Sequence, residues 1–148
     1  MTEPTVDSEG QDATSDRILT AALHERLGIE ILEARPDRVV GRMPVAGNTQ
    51  PFGLLHGGAS CALAEGLGSI AATMHGMGMS PQHVAIGVDI NATHHRAVRS
   101  GYVTGVATPA HRGRRSATYE VAIEDEEGRR VCTARITCLL QRASDDGF

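Results

Sequence analysis

QPFGLLHGGASCALAEGLGSIAATM, residues 50–74, is the stretch from which the fold of this chain is read. It opens as a loop with Pro51, Phe52 and Gly53, passes through His56, Gly57 and Gly58, and continues in Ala, Ser, Cys, Leu and Ile. Its one strongly ionisable side chain is Glu65. A helix this free of Lys and Arg has no solvated face, so protein is expected to cover it on nearly every side, and Glu65 is expected to be buried with it. An unpaired buried carboxylate is costly or is driven to a raised pKa. Such a residue either has a job or is neutralised, by an Arg from elsewhere in the fold or at a subunit seam.

The spacing around Glu65 favours a job. Ser69 follows it by one helical turn, which puts hydroxyl and carboxylate on one face. Gly57 and Gly58 stand where loop becomes helix, and there the backbone N–H groups lack intrahelical acceptors. Without a Cβ to hold a ligand away, and with the helix dipole adding partial positive charge, that junction is a candidate oxyanion hole. Two turns further along lies a candidate base or nucleophile, with the reacting group expected between them.

Working outward, the 148 residues carry a formal net charge of -4, with no basic footprint and no aromatic-basic interleaving for nucleic acid. No apolar run has the length of a membrane span. The start, MTEPTVDSEGQDATSD, is acidic and polar, unlike a secretory signal, so a cytoplasmic protein is expected. Cys61, Cys132 and Cys138 form an odd set without metal-type pairs and are expected to be reduced, packed thiols. No metal and no cofactor is expected.

Residues 1–14 are expected to be a disordered leader, 15–142 one domain, and 143–148 a frayed tail. Ser15 or Asp16 caps a short helix in which Leu19, Leu23 and Leu27 recur at i+4, with Gly28 as the stop. Alternation around Pro36-Asp37 gives a strand pair or one bent strand. The central helix is expected to run to about His75, followed by a loop with Gly76, Gly78 and Pro81. In HVAIGVDINATH, residues 83–94, the residues Val84, Ile86, Val88 and Ile90 recur at every second position and are assigned the core face. Strands follow over 101–109, 116–124 and 130–140, with Glu126-Glu127-Gly128 as a turn. The result is an α+β domain, a curved antiparallel sheet wrapped around one long helix. A five- or six-stranded sheet covered on one face leaves its edges open, so association of chains is expected.

QPFGLLHGGASCALAEGLGS, followed by GVDINATHHRAVRSGYVTGVATPAHRGRRSATYEVAIEDEEGRRVCTARIT, resembles the hot-dog fold acyl-CoA thioesterases. The resemblance is strongest to the group that holds the 1,4-dihydroxy-2-naphthoyl-CoA hydrolases of menaquinone synthesis and the enterobactin proofreading thioesterases. The phenylacetate-pathway and 4-hydroxybenzoyl-CoA thioesterases are similar at greater distance. It covers roughly Leu27 to Leu140. The resemblance implies hydrolysis of an aromatic acyl-CoA, with Glu65 as nucleophile or general base and the Gly57 N–H as oxyanion donor. His56 and Gln50 lie beside that donor, and Ser69 orients water or substrate. His94, His95 and Arg96, together with His111, Arg112, Gly113, Arg114, Arg115 and Ser116, are implied to line the path for acyl group, pantetheine and phosphates. Arg135 is implied to reach the CoA. One departure is Thr93-His94-His95, where relatives carry Asn-His-Val. The family also implies a homodimer with shared sites, paired again into a homotetramer.

Blander readings stand beside these. His56 as a loop histidine bonded to backbone, and the arginine run as a solvated turn, are the structural alternatives. Four histidines (His83, His94, His95, His111) raise the thought of a metal, but they lack paired ligand spacing. Other functions compatible with the pattern are hydrolysis of carrier-protein-bound aryl thioesters, a hot-dog hydratase or dehydratase, and a non-catalytic acyl-CoA binding protein.

Overall fold

Six strands and one long helix form most of residues 18–143, the part described by this computed structural model. The expected leader, the caps at Ser15 and Asp16, and the tail beyond Ala143 lie outside the described residues. In chain order the elements are α1 (Ala22–Leu27), β1 (Glu30–Arg35), β2 (Arg38–Pro44), α2 (Gly57–Met79), β3 (His83–His94), β4 (Tyr102–Arg112), β5 (Ser116–Asp125) and β6 (Arg130–Arg142). The strands make one sheet in the order β1-β2-β4-β5-β6-β3, antiparallel throughout. The long α2 crossover carries the chain from β2 to the opposite edge, so β3 is left as an edge strand.

The core lies between α2 and the sheet. Leu63, Leu67, Ile70 and Ala71 of the helix meet Val39, Met43, Val103, Tyr119, Ile123, Ile136 and Cys138 of the strands. Each large side chain sealed this way contributes about 1.5–3 kcal/mol. Helix and sheet approach closely because Gly41 and Gly105 face each other in register across β2 and β4. A Cβ at either glycine would stand 2.7 or 2.6 Å from a methyl of Leu67. Tyr119, fully buried, stitches three elements together. Its hydroxyl lies 2.6 Å from Pro36 O in the β1–β2 turn and 3.2 Å from Ala71 O on α2. Burial pushes this phenol up to about 12.

Three expectations need correction. The expected first helix is interrupted: Ile18 and Leu19 are helical, Ala21 is extended (φ -139, ψ 142), and a separate helix starts at Ala22, with Leu23 pointing to solvent at 53% exposure, so the i+4 leucine line is no buried seam. Gly28 does end that helix, in the left-handed region at φ 68. The central helix runs four residues past His75, to Met79. Gly76 sits inside it because a Cβ there would press on His83 Cβ at 3.2 Å, a close approach to β3 and not a break. The alternation in β3 changes phase at a bulge, where Gly87 pairs with Cys138 and Asp89 with the next residue, Thr137. Val88 is the extra residue. Before the bulge the helix-facing positions are Ala85 and Gly87, opposite Leu140 and Cys138; after it they are Ile90, Ala92 and His94, opposite Ile136, Ala134 and Cys132. The assigned core face of Val84, Ile86, Val88 and Ile90 is therefore not a face at all.

Candidate active site

The loop before α2 is held by a buried asparagine that sequence reasoning passed over. Asn48 donates through Nδ2 to Leu27 O (2.7 Å) and Pro44 O (2.8 Å), and its own carbonyl accepts from the His56 N–H at 2.8 Å. A tight turn, Gln50 to Gly53, precedes it, with Gly53 at φ 75 and the Phe52 N–H bonded to Gln50 Oε1. Phe52 projects from the tip at 81% exposure. His56 is the N-cap of α2, its Nδ1 accepting from the Gly58 N–H at 2.8 Å. The backbone-bonded reading of His56 thus holds for Nδ1, while in the neutral ring Nε2 carries the proton. The Gly57 N–H, first in the helix, has no intrahelical acceptor and takes none from the loop.

That donor opens on a cavity of about 340 Å³ lined by Gln50, Gly57, Ser60, His94, His95 and Arg96. His94 leans on Gly57 so closely that a Cβ there would be 2.8 Å from its Nε2. His95 is turned toward the Thr133 hydroxyl, 3.0 Å from its Nε2. Six of the implied site residues, His56 and the five that line this cavity, are therefore gathered at one end of the helix.

Glu65 is elsewhere, and it is exposed. Burial was expected from a helix without Lys or Arg, but the carboxylate falls on the margin of α2 beside the edge strand β3, where the single chain has nothing further to lay over it. The Ser69 hydroxyl donates to Glu65 Oε1 at 3.0 Å. Gly87 of β3 is the wall beyond, since a Cβ on it would stand 2.9 Å from the same oxygen. Glu65 and Gly87 line a cavity of about 260 Å³ with Val88, Asp89, Ile90 and Ile136. On the other side His24 of α1 packs over Gly66, the neighbour of Glu65. Burial lowers the His24 pKa and the Glu65 charge opposes that shift. Neither Gly87 nor His24 was singled out from sequence. A glycine inside the clearest strand was the available sign of close approach, whereas nothing local marked His24.

Eight residues separate Gly57 from Glu65, or about 12 Å along the axis. A single thioester does not span both within one chain, contrary to the expectation that the reacting group lies between them. The buried thiols of Cys132 and Cys138 are not nucleophiles in waiting. Burial raises Cys138 and pushes Cys132 up to about 11.

The HRGRRS segment lies at the far end of α2. Gly113 N–H donates to Ser116 O at 2.9 Å, closing the β4–β5 turn, and His111 packs against Gly113. Arg114 and Arg115 line a cleft of about 660 Å³ with Met79 and His83. Arg112 is directed toward the β1–β2 turn, where Asp37 is held below the usual carboxylate range by its Arg35 hydrogen bond, with Arg112 adding to the effect. Arg135 is exposed on the outer face of β6, opposite Glu120 and Asn91 in register, and reaches neither cavity. Among the described residues no three His, Cys, Asp or Glu side chains cluster as metal ligands, and no helix is long and apolar enough to cross a membrane.

A carboxylate oriented by a hydroxyl, next to a small recess and on the same helix as a free N–H donor, is equipped for attack on an activated carbonyl. Comparison with known proteins agrees. Residues 52–132 match the profile of the family described as Thioesterase superfamily. The chain is similar to the proofreading thioesterase EntH of Cronobacter turicensis, 47% identical over 130 residues, which cover 87% of this chain and 90% of that protein. The fold is similar to the crystal structure of thioesterase HI1161 from Haemophilus influenzae, with a TM-score of 0.78 at 36% identity over 94% of this chain and 93% of that one. A mutant of thioesterase PA1618 from Pseudomonas aeruginosa gives a TM-score of 0.77 at 34% identity, covering 94% and 96%. The sheet wrapped on one helix is thus the hot-dog fold, and by sequence and structure this chain, a thioester hydrolase, belongs to the thioesterase superfamily.

Proposed function

We propose that the enzyme hydrolyses an aromatic acyl-CoA to the free acid and CoA in the cytoplasm, as a homodimer whose two sites are each built from both chains. The observation that carries this reading is the Ser69–Glu65 pair, 3.0 Å apart, on the open margin beside Gly87. A carboxylate there attacks the thioester carbon to give an acyl anhydride, with the CoA thiolate leaving and taking a proton. Water then cleaves the anhydride and restores Glu65. In the general-base variant the carboxylate takes the proton of the attacking water instead.

The oxyanion donor comes from the second chain, because the Gly57 N–H of the same chain is about 12 Å away. Pairing of two β3 edges about a two-fold axis runs the two α2 helices antiparallel and brings Gly57, Gln50 and His56 of one copy toward Glu65 of the other. An edge strand with Val88 at 53% and Ile90 at 38% exposure favours such pairing. The same logic leaves room for a dimer of dimers. A recess walled by Val88, Ile90 and Ile136, with Asp89 also on its lining, suits a flat aryl group. The phosphates of CoA fall to Arg114 and Arg115, with guanidinium groups that bind such oxygens in pairs.

The test is Glu65→Gln and Glu65→Ala assayed on benzoyl-CoA, with release of free CoA followed by a thiol reagent. A loss of about a thousandfold is expected from removing the attacking group. Turnover within tenfold of wild type refutes the assignment.

A further inference from the structure

His75 lies on α2 ten residues beyond Glu65, about 15 Å along the axis. Its side chain takes no part in the machinery described above. Its Nε2 is 2.9 Å from the carbonyl oxygen of Gly113. A carbonyl only accepts, so Nε2 carries the proton and donates it. Gly113 is the tight point of the β4–β5 turn, since a Cβ on it would stand 2.6 Å from His111 Nε2 and 2.9 Å from Ser116 O. Its own N–H is already committed to Ser116 O. With the amide of the turn fixed on one side, the His75 bond fixes the carbonyl on the other, and the turn is clamped to the helix that carries Glu65.

Arg114 and Arg115 follow directly on that clamp. Neither is in an ion pair among the described residues, and their cleft of about 660 Å³ includes the imidazole of His83. Uncompensated guanidinium groups on a short turn sweep a wide arc unless the turn is held. The separation of this cleft from Glu65, about 15–21 Å from His75 to Met79, is on the order of an extended pantetheine arm.

We propose that His75 is a positioning residue for nucleotide recognition. By holding the Gly113 carbonyl it aims Arg114 and Arg115 at the phosphates of a CoA thioester, and so gives the enzyme its preference for nucleotide-bearing thioesters over short ones. This rests on the acyl-CoA reading above and adds the residue that enforces it.

The experiment compares benzoyl-CoA with the benzoyl thioester of N-acetylcysteamine, which has the same acyl carbon and no nucleotide. In His75→Ala, KM for benzoyl-CoA is expected to rise about tenfold, the effect of a lost hydrogen bond and the loosened contacts behind it, with both constants for the short thioester within about twofold of wild type. His75→Gln, which keeps an N–H donor near the same place, is expected to recover most of the loss. Inhibition by free CoA weakens in parallel in the Ala variant, while inhibition by pantetheine does not. Equal changes for both substrates, or no change for benzoyl-CoA, overturn the role of His75. A wild-type enzyme that cleaves neither thioester overturns the acyl-CoA reading and this inference with it.

Discussion

The Ser69 hydroxyl donates to Glu65 Oε1 across one turn of α2, at 3.0 Å, and this bond is the main constraint on an otherwise exposed carboxylate. Ser69 is itself held, its Oγ 3.8 Å from the Sγ of buried Cys138. A hydrogen bond to a charged acceptor contributes about 1.5–3 kcal/mol, so Ser69→Ala is expected to lower kcat on benzoyl-CoA about 10- to 100-fold. Ser69→Thr keeps the hydroxyl and is expected to stay close to wild type. If the Ala variant turns over within twofold of wild type, the bond has no part in the chemistry.

Gly87 sets the other limit on the same oxygen. A methyl group there would lie 2.9 Å from Glu65 Oε1 and 3.9 Å from Ser69 Oγ. The carboxylate is the far end of a flexible side chain and swings aside at little cost to the fold. Gly87→Ala is therefore expected to leave the unfolding midpoint nearly unchanged while lowering kcat about 10- to 100-fold, the effect of misplacing a reacting group. Kinetics and a thermal melt on the same preparation check both halves, and an unimpaired kcat shows that the wall is not near the reacting carboxylate.

His24 gives the fold a dependence on pH. Burial holds its pKa below the usual 6.5, with the Glu65 charge opposing, and its Nδ1 is sealed without a partner. The unfolded chain takes up a proton near 6.5 and the folded chain only at lower pH, so in between the unfolded state holds more protons. Stability contributed by this site is thus complete above about 6.5 and declines as the pH falls toward the folded value. His24→Leu removes the titrating group, and the drop in Tm from about pH 7 to about pH 5 is expected to be shallower than in wild type. An identical drop in both proteins assigns the acid sensitivity to other groups.

The long helix, its glycine-lined start and the Glu65–Ser69 spacing were legible because each is a local pattern with a local cause. The phase of β3 was not, since an alternation rule has no way to place a bulge, and the bulge at Val88 turns Gly87 toward Glu65. Gly76 read as a breaker because propensity ignores what lies alongside, and His83 lies alongside. The burial of Glu65 was inferred from the absence of charge around it. That absence holds, yet the cover it implies does not come from this chain. Gln50, His94, His95 and Arg96 meet at the Gly57 cavity although they come from segments more than forty residues apart, a grouping that came from resemblance and not from spacing.

The separation of Gly57 from Glu65 makes the proposed division of the site between chains directly measurable. Glu65→Ala and Gln50→Ala are each expected to be nearly inactive as pure proteins. After mixing, unfolding and refolding at equal amounts, half of the dimers are hybrids. In a hybrid, one site combines both defects and the other combines the intact Glu65 of one chain with the intact Gln50 of its neighbour. Activity is therefore expected to return to about a quarter of wild type, one good site in two for half of the population. If all groups of a site came from one chain, every site in every hybrid would retain one defect, and mixing would restore nothing. Refolded wild type, carried through the same steps, sets the scale, so a flat result speaks against the shared site and not against the refolding.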